Sequence, residues 1–320
     1  MAFEGQELVE QYIESYSNWG RWGEDDSLGT LNFVGPEEVL AAVATVRHGR
    51  TVNCTLPLDL KGPQRPQLLR DNPRTIKVAT GTDHVSGAQD QLPAGLGPAN
   101  GFGRSDDITI LPNQAGTAWD GLAHIFWRGK MWNGKSAALV SSSGAAANGV
   151  EHYAGKMVFR GVLLDLPKAL GVDSLGEAQA ITVEDLEKAE EMAGVEVRRG
   201  DCILLRSGFM KARRGDWGDY VQGAAPGLSV YTIPWLYERE VAAIAADTWG
   251  LEVQPNEIQV FNPIHIVGLV HMGLALGEIF DFDALATVCD ELGQYEFLFV
   301  SPVLPITGAS GSATGAIAIL

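Results

Sequence analysis

The run VFRGVLLD, Val158–Asp165, is short and rich in branched and aromatic side chains, the composition of a strand buried inside a sheet. Three further runs of the same kind follow at Cys202–Arg206, 241–246 and 295–300. Helical patterns lie between them. The clearest begins at Thr182-Val-Glu-Asp185, a start resembling a capping box in which Ile181 can staple onto Leu186. Strands alternating with helices argue for an α/β protein. No repeat of fixed period and no linker-like shift in composition divides the 320 residues, so we expect a single domain over 1–320 with an irregular N-terminal layer at about 1–107.

Within that layer, residues 4–19 place Leu8, Tyr12 and Ile13 at helical spacing. A second helix is expected from Pro36, a residue pre-set for a first turn, with Glu37 and Glu38 at the positive end of the dipole and a stop near Gly49. Residues 51–56 read as a strand. From 60 to 107 the chain is rich in Gly, Pro, Asn and Gln, and so long an irregular stretch is expected to be functional, mobile or an oligomer contact. The charge-free residues 297–320 are too interrupted by Pro302, Pro305, glycine and serine for a membrane span, and read as a buried strand followed by a loop.

Composition narrows the partners. With 46% hydrophobic and 20% charged residues, and 23 basic residues against 40 acidic, the chain is globular and carries a formal charge of −17. Without a basic run it has nothing to neutralise phosphates, so we expect a small-molecule partner and neither nucleic acid nor membrane. Cys54, Cys202 and Cys289 are too scattered for a disulfide framework or a metal knuckle and read as buried thiols. The acidic start lacks the basic and apolar regions of an export signal, and a cytoplasmic location is expected.

Two constellations could carry chemistry. The first runs from Asn113 to His124, where Asp120 and His124, four apart, would share a helix face or a tight loop and either pair as orienter and base or bind a metal. A surface ion pair or a satisfied core histidine is the plain alternative. The second is His265 and Glu278, ionisable groups in an almost uncharged apolar setting that demands a partner or a shifted pKa. His271 in the same run reads as a packed or surface helix residue. Asp247, at the end of an apolar run, is either at a strand's C-terminal ligand site or a helix cap or turn former. No dinucleotide, P-loop or serine-elbow glycine pattern is present.

Along nearly its whole length the chain resembles the cyclase superfamily of metal-dependent hydrolases. The resemblance rests on WGEDDSLGTLN from Trp22, RGVLLD from Arg160, GDCILLRSG from Gly200, Asp247-Thr248, GEI from Gly277 and EFLFV from Glu296. The family signature H-x-G-T-H-x-D-x-P-x-H falls on Gln114-x-Gly116-Thr117-Ala118-x-Asp120-x-Leu122-x-His124, with both early histidines and the proline replaced. The resemblance implies a swivelling β/β/α fold, a mixed sheet closed toward a barrel and flanked by helices. It also implies that the first metal position is dismantled, since alanine cannot ligate and glutamine is a weak ligand for a divalent ion.

Asp120, His265 and Glu278 remain as candidates for one divalent metal, Zn or Mn, with a metal-free site as the alternative. His124, Glu278, Asp120 and His265 are the expected catalytic residues; Gln114, Trp119, Thr117 and Trp127 are the expected substrate contacts. Trp132 is a further candidate for the pocket, core packing being the alternative for these tryptophans. The expected reaction is hydrolysis of an amide, lactam or lactone. The alternatives are a metal-free lyase, isomerase or cyclase and a non-catalytic binder. A homo-oligomer, dimer or tetramer, is expected.

Overall fold

The computed structural model describes residues 5–65 and 70–320, so Glu4 of the expected first helix and four residues of the 60–107 stretch lie outside the described residues. Its centre is a nine-stranded mixed sheet. The strands are β1 (Thr51–Asn53), β2 (Ala118–Asp120), β3 (Val158–Asp165), β4 (Cys202–Arg206), β5 (Ala243–Ala246), β6 (Ala275–Glu278), β7 (Glu296–Val300), β8 (Gly311–Ala313) and β9 (Ile317–Ile319). They lie side by side in the order β1-β9-β7-β3-β4-β5-β6-β2-β8. The middle four, β3 to β6, are parallel; every pairing outside them is antiparallel. Helices cover the parallel strands, which is why β3, β4 and β5 are buried almost throughout.

Chain connectivity forces this sheet to curl. Strands β8 and β9 stand seven positions apart, roughly 34 Å in a flat sheet at about 4.8 Å per strand, yet only Thr314, Gly315 and Ala316 join them. Four Cα steps reach at most about 14 Å. The two ends therefore come together, and side chains stitch the gap. Thr55 Oγ1 accepts the N–H of Ala316, Thr55 bridges Phe280, and Thr117 Oγ1 accepts the N–H of Leu56 while donating to the carbonyl of Ile279 at 2.6 Å. The result is a sheet curled toward a barrel and flanked by helices, the architecture expected from the resemblance.

Locally, α1 (Gln6–Tyr16) packs Val9 into the core, and α2 (Pro36–Val43) starts where expected, with Glu38 accepting the Gly35 N–H. It stops six residues short of Gly49, in a turn over Ala44 to Val46. The helix α3 (Val183–Ala193) is capped by Thr182 and Asp185 reciprocally, as the sequence predicts, and α4 (Asp283–Leu292) precedes β7. Residues 297–320 correct the expectation of one strand and a loop, since β8 and β9 both form there. The 60–107 stretch is also less irregular than expected: an antiparallel hairpin, Arg74–Ala79 with Asp106–Ile110, projects from it. All three cysteines are buried and free. Among the described residues no helix is long and apolar enough to cross a membrane.

Candidate active site

Strand β2 decides which side chains face the site. It lies between β6 and β8, with Ala118 opposite Glu278 and Asp120 opposite Gly311. Alternation along a strand puts Ala118 and Asp120 on one face and Trp119 on the other. The indole of Trp119 is accordingly in the core, fully buried against Phe280 and Phe159 with its N–H donated to Ser301 Oγ. It is not placed for the substrate contact expected of it. Thr117 is likewise fully buried, its hydroxyl occupied by the seam described above.

Asp120, His265 and Glu278 converge, with one donor atom from each lying within 4.8 Å of the others. Asp120 ends β2, Glu278 ends β6, and His265 opens a π-helical segment, His265–Met272. Such segments recur at functional sites. The His265 Nε2 lies 3.2 Å from Glu278 Oε1 and 3.7 Å from Asp120 Oδ2. Asp120 and His265 are 2% exposed, and Asp120 Oδ2 is buried with no hydrogen-bond partner. His124, in the turn after β2, approaches from the more open side, its Nε2 3.7 Å from Asp120 Oδ1. Its side chain is 22% exposed. Asp120 and His124 are thus joined by a strand end and a turn rather than by a helix face.

Sequence reasoning missed Glu252. Its buried carboxylate lies 2.5 Å from His265 Nδ1 and also accepts the backbone N–H groups of Ile264 and His265, both at 3.0 Å, and the Asn256 amide at 3.2 Å. The Asn256 oxygen accepts the Asn262 N–H, which fixes that amide's orientation. Every neighbour of Glu252 is a donor, so Nδ1 of His265 carries a proton and Nε2 is the atom presented to Asp120 and Glu278. Nothing near Glu252 in the chain signals this, because its partners lie beyond a loop.

The electrostatics follow from this packing. Burial opposes a proton on His265, but the hydrogen bonds and charges of Glu252 and Glu278 outweigh it and hold the imidazole well above its ordinary range. For Glu278, burial and then the charge of Asp120 raise the carboxyl above its usual value, against the pull of His265. Both groups therefore hold a proton more strongly than they would in water.

The residues fit a divalent cation. An orphaned carboxylate oxygen, a second carboxylate and an imidazole whose far nitrogen is tied to a carboxylate form a suitable donor set with its supporting shell. Ala118 shares the face of Asp120 and offers only a methyl group, so no ligand comes from that position.

The remaining expected contacts divide. Gln114 lies against β8: a Cβ on Gly311 would sit 2.5 Å from its Nε2, so the missing side chain lets the amide approach the strand beside Asp120. Trp127 is half-buried on a separate cavity of about 270 Å³, with Trp19, His271 and α1, whose lining includes none of the three converging residues. Trp132 is core, donating its N–H to Asp26. His271 is buried and stacked on Trp19. Asp247 serves a turn, accepting the N–H groups of Ser207 and Gly208 and the Ser207 hydroxyl.

The curled mixed sheet thus carries Asp120 and Glu278 at strand ends, and His265 meets them from the start of the π-helical segment. The family model described as "Putative cyclase" matches residues 52–253, and the chain belongs to the cyclase family. Of the solved structures similar to it, one described as a novel cyclase is 31% identical, with a TM-score of 0.86 over 96% of this chain and 99% of that one. Isatin hydrolase A from Labrenzia aggregata, bound to benzyl benzoate, is 18% identical, with a TM-score of 0.60 over 88% and 97% of the two chains. A potential metal-dependent hydrolase with cyclase activity is 12% identical, with a TM-score of 0.50 over 84% and 98%. No curated protein sequence matches the chain.

Proposed function

We propose that this chain is a hydrolase that opens a C–N or C–O bond of a small cyclic or acylated substrate, an amide, lactam or lactone. The observation that carries the reading is the convergence of Asp120, His265 and Glu278 around an unpartnered buried carboxylate oxygen. The family supports hydrolysis, and the isatin hydrolase in the comparison is named for a lactam. These three residues would hold one divalent cation, which when bound supplies Lewis acidity toward a carbonyl and toward water.

The chain's own groups do the rest. Asp120 and His265 are fixed by burial and by Glu252, so they do not reorganise during the reaction. Glu278 would anchor the cation with Asp120 and His265, which leaves His124 to take a proton from the attacking water. His124, the more exposed of the two histidines near Asp120, delivers a proton to the leaving nitrogen or oxygen. Gln114 is the side-chain amide available to orient the substrate carbonyl.

One observation favours a second reading. The Nε2 of His265 lies at hydrogen-bond distance from Glu278, and that pair could run the proton transfers of a metal-free lyase or cyclase. Elemental analysis of protein purified without chelator, on the wild type, Asp120→Ala and His265→Ala, together with turnover of a panel of amides, lactams and lactones, separates them. About one Zn or Mn per chain, lost in both variants along with hydrolysis, supports the first reading. Chelator-insensitive turnover of a metal-free protein refutes it and leaves the second.

A further inference from the structure

The cavity of about 270 Å³ between α1 and the Trp127–Lys130 turn has a prebuilt floor. Trp19 lies face to face with His271, ring centres 4.6 Å apart and planes 18° apart, and donates its indole N–H to the Val270 carbonyl at 2.7 Å. Asn18 holds the next two carbonyls, of His271 and Met272, each at 2.9 Å. Ile13 and Trp127 complete the apolar lining. His271 is the anomaly in this floor. It is 5% exposed, and neither ring nitrogen has a hydrogen-bond partner among the described residues. Buried polar atoms nearly always have one. Burial brings His271 down to about 4, so at neutral pH the ring is uncharged and offers one N–H donor and one acceptor nitrogen.

We propose that this cavity is a second small-molecule site, for an uncharged, flat, bicyclic aromatic that carries a hydrogen-bonding group, with His271 as its polar anchor. Size sets the first limit. A dry apolar cavity of about 150 Å³ takes a benzene ring, so one of about 270 Å³ has room for two fused rings. Indole and imidazole walls favour a flat aromatic. Charge sets the second limit. Four charged residues stand in the lining and they cancel: Glu10 is bonded to Arg128, and Glu14 is matched by Lys130. A charged ligand would give up its hydration for a lining with no net charge to replace it. Trp127 is the wall that yields. It is half-buried on a two-residue turn, with Arg128 and Gly129 both at positive φ and Trp127 and Lys130 exchanging backbone hydrogen bonds at 2.8 and 2.9 Å. Both imidazole nitrogens are shut off from solvent, and an outward swing of the Trp127 ring opens their edge to the ligand.

The test is equilibrium dialysis of the full chain against four probes of one shape: 2-naphthol, naphthalene, 2-naphthoate and 2-naphthylmethylammonium. We expect one 2-naphthol per chain, bound about 10-fold tighter than naphthalene because its hydroxyl pairs a group otherwise left unpaired, and at least about 10-fold tighter than either charged probe. His271→Phe keeps a stacked ring and removes both nitrogens. It should erase the advantage of 2-naphthol and leave naphthalene unchanged. Ile13→Trp fills the cavity from α1 and should abolish binding of both, with far-ultraviolet circular dichroism unchanged. Asp120→Ala, which strikes the separate centre, should bind 2-naphthol as the wild type does. No binding, tighter binding of a charged probe, an advantage of 2-naphthol that survives His271→Phe, or binding unmoved by Ile13→Trp would overturn the proposal. So would loss of binding in Asp120→Ala, which would place the ligand in the active centre instead.

Discussion

Replacing Glu252 by glutamine tests whether one carboxylate organises both the π-helical start and His265. Oε1 takes the His265 N–H and Nδ1–H; Oε2 takes the Ile264 N–H and the Asn256 amide. Glutamine keeps one oxygen and turns the other into a donor, so two of the four donors must face an NH2 group whichever way the amide lies. Each buried donor left without an acceptor costs about 1–3 kcal/mol. Breaking a buried charged contact costs about 3–5 kcal/mol, and we expect Glu252→Gln to fall in that range. At an m-value near 3 kcal/mol per molar, the urea midpoint should drop by about 1 M or more. Metal affinity, read by calorimetry on folded protein, should fall about 10–100-fold because His265 loses its orienting partner. A loss of stability below about 1 kcal/mol with metal affinity intact would refute the fourfold-acceptor geometry.

Three further outcomes are expected. Burial lowers His271 from 6.5 to about 4, so the unfolded chain gains a proton that the folded chain refuses. Its contribution is complete above pH 6.5 and shrinks by up to about 3 kcal/mol as the pH falls to 4; urea unfolding at pH 7 and pH 4.5 should show this loss in the wild type and a smaller one in His271→Phe. Removing His124 by His124→Ala should lower kcat by about 10²–10⁴ with little change in metal content, as measured by steady-state kinetics beside elemental analysis. Trp119→Ala should cost about 3–5 kcal/mol in chemical denaturation, the price of emptying a core site rather than a substrate contact.

The elements legible from sequence were those whose signal is local. VFRGVLLD and CILLR are buried on both faces by helices, so they read as strands at their true limits. Thr182 and Asp185 announce a helix three residues apart. By contrast β2, β8 and β9 are three residues each, and the glycines and serines around the last two look like loop until the far edge of the sheet supplies their partners. Missing β2 had a chemical cost: once AWD is a strand, alternation turns Trp119 away from Asp120. Asp120 was found through its place in the family motif, and His265 and Glu278 as ionisable groups in an almost uncharged apolar run. Glu252 was not, because its role is set by two amides and an imidazole that return to it twelve and thirteen residues later.

The three-residue link between β8 and β9 also sets an order of events during synthesis. Asp120 lies on a strand hydrogen-bonded on one side by residues made almost two hundred positions later. Until those residues emerge from the ribosome, β2 has a bare edge, and the acidic end of the nascent sheet has no finished seat for Asp120. The centre is therefore assembled last, so an interrupted chain carries most of the core but no working chemistry.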